Sequence, residues 1–381
     1  MSYIPPKSWE IPLAAKFLNL DDDERAFFKA STSIDDDDEL DEHILDVQSK
    51  AYEIFPYPCI RIFGFTRIRI SRLPAYADFL KLGRDRTNPI FIDLGCACAS
   101  SLGSDVRKAV LDGYPIQSCL ATDLRGGLWQ QGHALFKSTP ESFPVPFIEG
   151  DVFDRAFLDV VPPFSADAPP LGPPPALEAV TSLNPLRGHV SAVFMGKFLH
   201  LFDEAGQAHL ARALAGLLSP EPGSILFGVQ GAQPERGPFT PTSSDWTMFC
   251  HSLESWKELW EGVFGPGKVK VETRMVTEPG GPSYFDTWPG NTKPFTCQEW
   301  SVTRLTPWEQ ALDVGVREMC YVEGVGPVGV FSGSIDRMYV HIYLSSLTYR
   351  VGVVQIVRGF SPGRLLELDA VMGRVGMVSL R

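Results

Sequence analysis

Three aspartates and one histidine stand just beyond short apolar runs, where a backbone leaving a strand can present a polar side chain. Asp93 closes the run Ile90-Phe91-Ile92 and is followed by Gly95; Asp123 ends the run from Ile116 to Thr122; Asp151 follows Pro146 to Glu149 through Gly150. An acidic residue at the end of a second strand faces the turn after the first, where it can accept both hydroxyl hydrogens of a ribose. Asp123 fits that role, although it lies 28 residues beyond Gly95 against a usual spacing of about 20. Asp151 is placed to meet an adenine amino group, with the backbone amide of Val152 offered to the ring. Each aspartate could instead cap a turn or a helix, but two of them at consecutive strand ends favour a nucleoside site. His200, within Leu199-His200-Leu201-Phe202 after the run His189 to Met195, could take a proton from a substrate, orient or stack beneath one, or simply be packed.

The stretch from Asn88 to Lys108 supplies the turn on which this chemistry depends. Ile90 to Ile92 read as a buried strand, and Gly95 permits a sharp turn. Ser104 or Asp105 can then cap a helix carrying Val106, Ala109 and Val110 on one face. Backbone amides at such a helix start can approach a ligand. The turn is not the dinucleotide fingerprint, because Ala97 and Ser100 stand where Gly-x-Gly-x-x-Gly needs glycine. An Asp-x-Gly turn of this kind suits S-adenosylmethionine better, since that cofactor has no pyrophosphate and presents an amino-acid end to the loop. The same turn also occurs as a plain strand-to-helix connection in α/β proteins.

The remaining elements must hold these groups. Acidic clusters at Asp21 to Glu24 and Asp35 to Glu42 precede helix-like sequence, as helix starts whose dipole they favour rather than as metal sites. From Pro56 to Tyr76, Phe63, Phe65, Ile68 and Ile70 alternate loosely with Arg61, Arg67, Arg69 and Arg72, which predicts an extended segment with one wet face. Its arginines could meet an acidic substrate or the acidic helices upstream. Eight prolines between 161 and 185 make that region a long loop, placed to border the pocket. A helix with Leu210, Leu214, Leu217 and Leu218 ends at Pro220; Ser224 to Val229 is a strand, Ser255 to Val263 a Trp-rich helix, and Val269 to Val276 and Gln298 to Leu305 are the last strands. Alternating strands and helices predict an α/β, doubly wound, Rossmann-like sheet with an N-terminal helical cap and a C-terminal extension.

Composition narrows the partners. A net charge of -12 argues against nucleic acid, whose phosphates need clustered Lys and Arg, and leaves a small molecule as the expected ligand. Seven scattered cysteines indicate neither a disulfide framework nor a zinc site, and Cys96 and Cys98 read as small loop residues. The first ten residues lack the basic and apolar segments of a secretory signal. No apolar run reaches membrane-spanning length, since His341, Ser345, Ser346 and Arg350 interrupt the nearest, Met338 to Val357. These features imply a soluble, cytoplasmic protein with no membrane span.

The strand ends with Asp93, Asp123 and Asp151, and the Phe-Leu-His-Leu-Phe stretch, resemble a class I S-adenosylmethionine-dependent methyltransferase. More narrowly, Ala-Tyr-Glu-Ile-Phe-Pro-Tyr-Pro-Cys-Ile-Arg, Ile-Asp-Leu-Gly-Cys, Asp-Val-Arg-Lys, Ala-Thr-Asp-Leu-Arg, Phe-Lys-Ser-Thr-Pro-Glu-Ser-Phe, Gly-Asp-Val-Phe-Asp and His-Ser-Leu-Glu-Ser-Trp, in that order over residues 15 to 305, resemble methyltransferases of fungal terpenoid and meroterpenoid clusters. The resemblance implies Asp93, Gly95, Asp123, Leu124, Asp151 and Val152 as cofactor-binding residues, His200 as the catalytic candidate and no metal. It also implies a lipophilic acceptor, often a carboxylate, and a homodimer. A phenol, alcohol or nitrogen acceptor and a cofactor-binding protein without activity remain as alternatives. On this reading residues 1–75 form the cap, 76–305 the cofactor domain and 306–381 an extension. The chain departs from the family pattern in its longer connection from Ala97 to Leu102 and in the tail after Leu305. That tail holds seven arginines and no lysine and is either a small added domain or an extension without selected structure.

Overall fold

The computed structural model describes residues 12–97, 101–240, 246–277 and 295–306, and the backbone of six strands beyond them. The chain divides into two compact units, Met1–Arg304 and Leu305–Arg381.

The first unit begins with helices α1 (Asp22–Thr32) and α2 (Asp37–Ile54). Asp21 and Glu24 close a reciprocal capping box on α1, and the Asp36 side chain accepts the Glu39 N–H at the start of α2. The acidic clusters therefore serve as helix starts. The segment that follows is not extended. It forms α3 (Pro58–Arg61) and two 3-10 turns at Gly64–Thr66 and Ile70–Arg72. Phe63, Phe65, Ile68 and Ile70 are all buried, so their alternation with arginines reflects tethering rather than strand pleating. Arg67 Nη1 pairs with Glu24 Oε2 at 2.7 Å and Arg72 pairs with Asp21 and Glu24. Glu24 itself is fully buried; burial pushes its pKa up while Arg67 pulls it down.

After α4 (Tyr76–Asp85) come the strands and helices of the doubly wound sheet: β1 (Phe91–Leu94), α5 (Ser104–Leu111), β2 (Cys119–Asp123), α6 (Gly126–Leu135), β3 (Phe147–Glu149), β4 (Ala192–Gly196), α7 (Glu204–Leu217), β5 (Ile225–Ala232), the β6 (Gly237–Phe239) and β7 (Met248–Cys250) hairpin, α8 (Leu253–Phe264), β8 (Val269–Val276) and β9 (Thr296–Arg304). Seven strands lie in the order β3-β2-β1-β4-β5-β9-β8. The first five are parallel, and β9 runs antiparallel between β5 and β8. β2 starts later than its apolar run, because Ile116–Ser118 form a 3-10 turn.

Strand side chains alternate between two cores, as they must when both sheet faces are covered. Phe91, Phe194 and Phe227 join Phe79, Tyr114 and the N-terminal helices on one face. Ile92, Val193 and Leu226 join the leucines of α7 and Trp256, Trp260 and Trp300 on the other. From 161 to 185 the chain forms no α-helix or strand, as its prolines dictate.

The second unit carries β10 (Met319–Val322), β11 (Gly326–Ser332), β12 (Tyr339–Leu344) and β13 (Leu347–Arg350) as an antiparallel sheet in that order, and a pair β14 (Leu366–Glu367) with β15 (Ser379–Leu380). Among the described residues no helix is long and apolar enough to cross a membrane. The apolar stretch Met338 to Val357 lies partly outside those residues.

Candidate active site

The sheet reverses its direction of growth between β1 and β4, and the crevice at the C-terminal ends of these strands is where doubly wound sheets bind ligands. Asp93, the third residue of β1, is 1% exposed. Burial, reinforced by Asp105 and Asp123, raises its pKa well above the ordinary carboxylate value, while a hydrogen bond from the Val106 N–H opposes this. Gly95 then turns with φ +73°, and its N–H donates to Thr122 O at 2.9 Å. A methyl group there would come within 2.5 Å of the Phe198 ring, so Gly95 is required both for its left-handed backbone and for the approach of the chain leaving β4.

The helix start after this loop differs from the sequence expectation. Neither Ser104 nor Asp105 caps α5; the N-cap is Gly103, at φ +79°. Ser104 Oγ donates instead to Phe65 O and Ser101 O, at 2.8 and 2.6 Å. Asp105 Oδ1 accepts the N–H groups of Arg69 and Ile70, at 2.9 and 2.8 Å. Both side chains are fully buried and hold the cap segment rather than the helix end, because the cap lacks a strand partner for its backbone donors. In the connection Ala97 to Leu102, residues 98–100, Cys98 among them, lie outside the described residues.

Asp123 ends β2 and bridges the crevice within the protein. Its Oδ2 accepts the Ala97 N–H and its Oδ1 the Arg125 N–H, each at 3.1 Å. These two bonds orient the carboxylate toward the turn after β1. Leu124 and Phe153 are among the few large apolar side chains left exposed among the described residues, at 39% and 38%, and Val152 is buried. Asp151 Oδ1 accepts the Phe153 N–H at 2.9 Å, which is the turn-capping role a strand-end aspartate can have; it engages only one oxygen. The end of the N-terminal cap closes over this turn, with the Arg125 guanidinium 3.7 Å from the Phe55 ring centroid.

These groups fit an adenosine with an amino-acid end. The carboxylate of Asp123 faces the loop, apolar surfaces flank the β2 and β3 ends, and the buried Oδ2 atoms of Asp93 and Asp105 have no hydrogen-bond partner within the described protein. Buried polar atoms are rarely left so. A hydrogen-bonding group within reach of either atom would satisfy it.

Across the crevice, the segment after β4 stays attached to β5. The Lys197 N–H donates to Val229 O at 2.7 Å, and the Gly231 N–H donates to His200 Nδ1 at 3.0 Å. His200 is buried. Because its Nδ1 accepts, the neutral ring carries its proton on Nε2. Beside this segment Lys197, Arg67, Arg69, Arg72, Val229 and Glu299 help to line a small cleft. Arg67 and Arg72 thus serve two ends, pairing with Asp21 and Glu24 and facing this cleft, while Arg69 Nη1 donates to Gly64 O. Lys197 and Glu299 escape a motif reading, although a lysine directly after a buried strand and its Gly196 is itself a signal.

Residues 14–66 match the meroterpenoid methyltransferase N-terminal domain. The chain is 30% identical over 254 residues to the O-methyltransferase atr3 of Stereocaulon alpinum, covering 66% of this chain and 64% of that protein. It is 30% identical to the methyltransferase adrK of Penicillium roqueforti, covering 58% and 69%, and 29% identical to the methyltransferase trt5 of Aspergillus terreus, covering 62% and 75%. The chain spans just under two thirds of the length of atr3. A parallel sheet with a glycine turn after β1 and aspartates at three strand ends, together with these relatives, makes the chain a member of the class I S-adenosylmethionine-dependent methyltransferases, similar to those of fungal meroterpenoid biosynthesis.

Proposed function

We propose that this protein methylates a carboxylate oxygen of a lipophilic terpenoid or meroterpenoid acceptor, using S-adenosylmethionine held by Asp93, Gly95, Asp123, Leu124, Asp151 and Val152. When bound, the cofactor supplies a methyl group on a sulfonium, which an acceptor oxygen takes by in-line displacement as the carbon–sulfur bond breaks. The protein's part is to hold the two in line and keep water out. On this reading Asp123 accepts the ribose hydroxyls, the Asp93 carboxyl meets the amino-acid end, and the adenine rests between Leu124 and Val152 with its amino group toward Asp151.

The observation that carries the choice of acceptor is the setting of His200. A carboxylate is already ionised near neutral pH and needs no base. A phenol or alcohol must lose a proton, for which histidine is the usual acceptor. With Nδ1 accepting from Gly231, the neutral His200 ring would have to leave that bond to act as a base, which a carboxylate acceptor does not require.

Calorimetric titration with S-adenosylmethionine, followed by methyl-transfer assays on paired lipophilic acids and their alcohol and phenol analogues, tests the reading. Cofactor binding with transfer to acids supports it. Transfer to hydroxyl or nitrogen acceptors alone would replace the carboxylate, and binding without transfer to any class would favour a cofactor-binding protein without activity.

A further inference from the structure

We propose that the proline-rich segment 169–175 is a docking site for a proline-recognition protein module, one whose groove is lined with aromatic rings and flanked by Lys or Arg. The segment leaves the sheet at the edge opposite the cofactor crevice, and the proposal does not depend on which acceptor is methylated.

The segment reads Pro169-Pro170-Leu171-Gly172-Pro173-Pro174-Pro175. Proline fixes φ and has no N–H, so consecutive prolines hold the left-handed polyproline helix, whose backbone makes no internal hydrogen bonds. Ala176, which continues the second run, has φ -61° and ψ 135°, close to the values of that helix. Among the described residues, 169 to 175 form no backbone hydrogen bond. Gly172, at φ +72° and with nothing packed against it, turns the chain between the two proline runs. Leu171 stands at that turn and is 99% exposed. A lone exposed leucine says little, but one set between two stiff proline runs is presented to a partner in a fixed frame.

Both ends of this projection are held. Upstream, Phe164 packs on Gly188, where a methyl group would come within 2.7 Å of its ring, and Arg304 donates to Phe164 O. Ser165 and Ala168 then exchange backbone hydrogen bonds at 3.3 and 3.1 Å. Downstream, Leu177 and Val180 are buried in the same core as Val190. Gly188 precedes β4, and Arg304 ends β9, which runs antiparallel to β5. Phe164 is therefore fixed at the N-terminal edge of the parallel strands, whereas Gly95 and Asp123 lie at their C-terminal ends. This departs from the expectation that the loop borders the pocket, and none of its residues lines the cleft beside His200.

The chemistry of the segment specifies its partner. Aromatic-lined grooves take polyproline segments because the prolines have already restricted the chain, so little ordering remains to oppose binding. Charge narrows the choice further. Between Arg155 and Arg187 the chain has no Lys or Arg, and the acidic side chains of Asp167 and Glu178 are exposed on either side of the prolines. Like charges facing each other across an interface are unfavourable, so a groove with cationic flanks fits and one with carboxylate flanks does not.

The test uses the full chain, immobilised, with a panel of purified WW domains whose grooves are flanked by Lys or Arg and an SH3 domain with an acidic groove flank as the counter-probe. The WW panel should include saturable binders that weaken as salt is raised. Leu171→Ser alters a fully exposed side chain and so spares the fold; it should lower their affinity roughly 10- to 100-fold. Pro173→Gly with Pro175→Gly should lower it several-fold by returning freedom to the unbound segment. Asp167→Lys with Glu178→Lys should lower it and remove the salt dependence. S-adenosylmethionine affinity, read by calorimetry, should be the same with and without the bound domain. Absence of saturable binding across the WW panel, affinity unaffected by Leu171→Ser, or tighter binding to the SH3 domain would each overturn the proposal. So would a bound domain that displaces S-adenosylmethionine, because it would place the docking face at the crevice.

Discussion

The ends of β1, β2 and β3 and the ends of β4 and β5 border one crevice, yet they are built from the chain in different ways. On the first side Asp123 and Asp151 stand at or just past the ends of their own strands, and each accepts an N–H from two residues on. Asp123 takes the Arg125 N–H two positions on, and Asp151 takes that of Phe153. On the second side the groups come from five separate stretches: the cap at 67–73, the turn at 197–200, β5 at 229–231, the end of β8 at 276 and β9 at 297–299. The first construction carries a fixed ligand shape on local turn chemistry, which a short motif can preserve. The second, the acceptor wall on the proposed reading, draws on stretches far apart in the chain, the cap among them, as suits a fold that hosts many substrates.

The sharpest way to break this division is Asp123→Ala. The change removes the proposed acceptor of both ribose hydroxyls and releases the Ala97 and Arg125 N–H groups. Hydrogen bonds to a charged group are worth about 1.5–3 kcal/mol each, so S-adenosylmethionine affinity should fall between about 100- and 10,000-fold. Calorimetry on a variant with native circular dichroism decides it, and unchanged affinity would sink the ribose assignment.

Glu24→Ala should do the opposite, weakening the acceptor wall while sparing the cofactor turn. Glu24 is fully buried and receives Arg67 and Arg72, and its removal leaves the half-buried Arg67 guanidinium without that partner, at a cost of about 1–3 kcal/mol. Urea unfolding should show a loss of this order. S-adenosylmethionine affinity measured below the unfolding transition should stay within a few-fold of wild type; a parallel collapse of cofactor affinity would show that the two sides are not separable.

A smaller effect is expected at His200. If the acceptor is a carboxylate, His200→Ala should lower kcat/KM by less than about tenfold and leave the rate flat between about pH 6 and 8, the histidine range. A loss of about a thousandfold, with wild-type rate rising through a histidine-like pKa, would move the reaction to a hydroxyl acceptor and require the ring to leave Gly231.

The same division explains how much could be read before the structure. Strands β1 to β5 announce themselves as continuous apolar runs because both sheet faces are covered, and their terminal aspartates stand out against them. The seven-stranded sheet was accordingly legible, including its last two strands. The cap segment was not, because Phe63, Phe65, Ile68 and Ile70 alternate with arginines as a half-wet strand does, whereas the ion pairs of Arg67 and Arg72 with α1 impose a chain of turns. At the start of α5, Ser104 and Asp105 have the chemistry of capping residues, but tertiary demand from Phe65, Arg69 and Ile70 takes both side chains, and the left-handed Gly103 takes the cap position. Lys197 depends on contacts separated by up to a hundred residues, which no local spacing encodes.

The smallest expected effect probes the link between the two sides, Asp105, whose Oδ1 holds Arg69 and Ile70 of the acceptor wall while its Oδ2 lies buried without a partner. Burial raises its pKa from 3.8 to about 6. The unfolded chain therefore ionises this group first as pH rises, so its contribution favours the folded state below about pH 4 and is lost progressively up to about pH 6, beyond which it is constant. Asparagine cannot ionise, yet its Oδ1 can still accept both N–H groups. Asp105→Asn should match wild type in thermal midpoint at pH 4 and exceed it above pH 6, by ~1 kcal/mol or a few degrees. Asp93 shifts in the same direction and partly through Asp105, so the difference between the two pH curves reports the coupled pair. Curves that run parallel from pH 4 to 7 would show that Asp105 is ionised throughout. The acceptor wall would then be tied to the cofactor turn by a permanent charge instead of a titrating one.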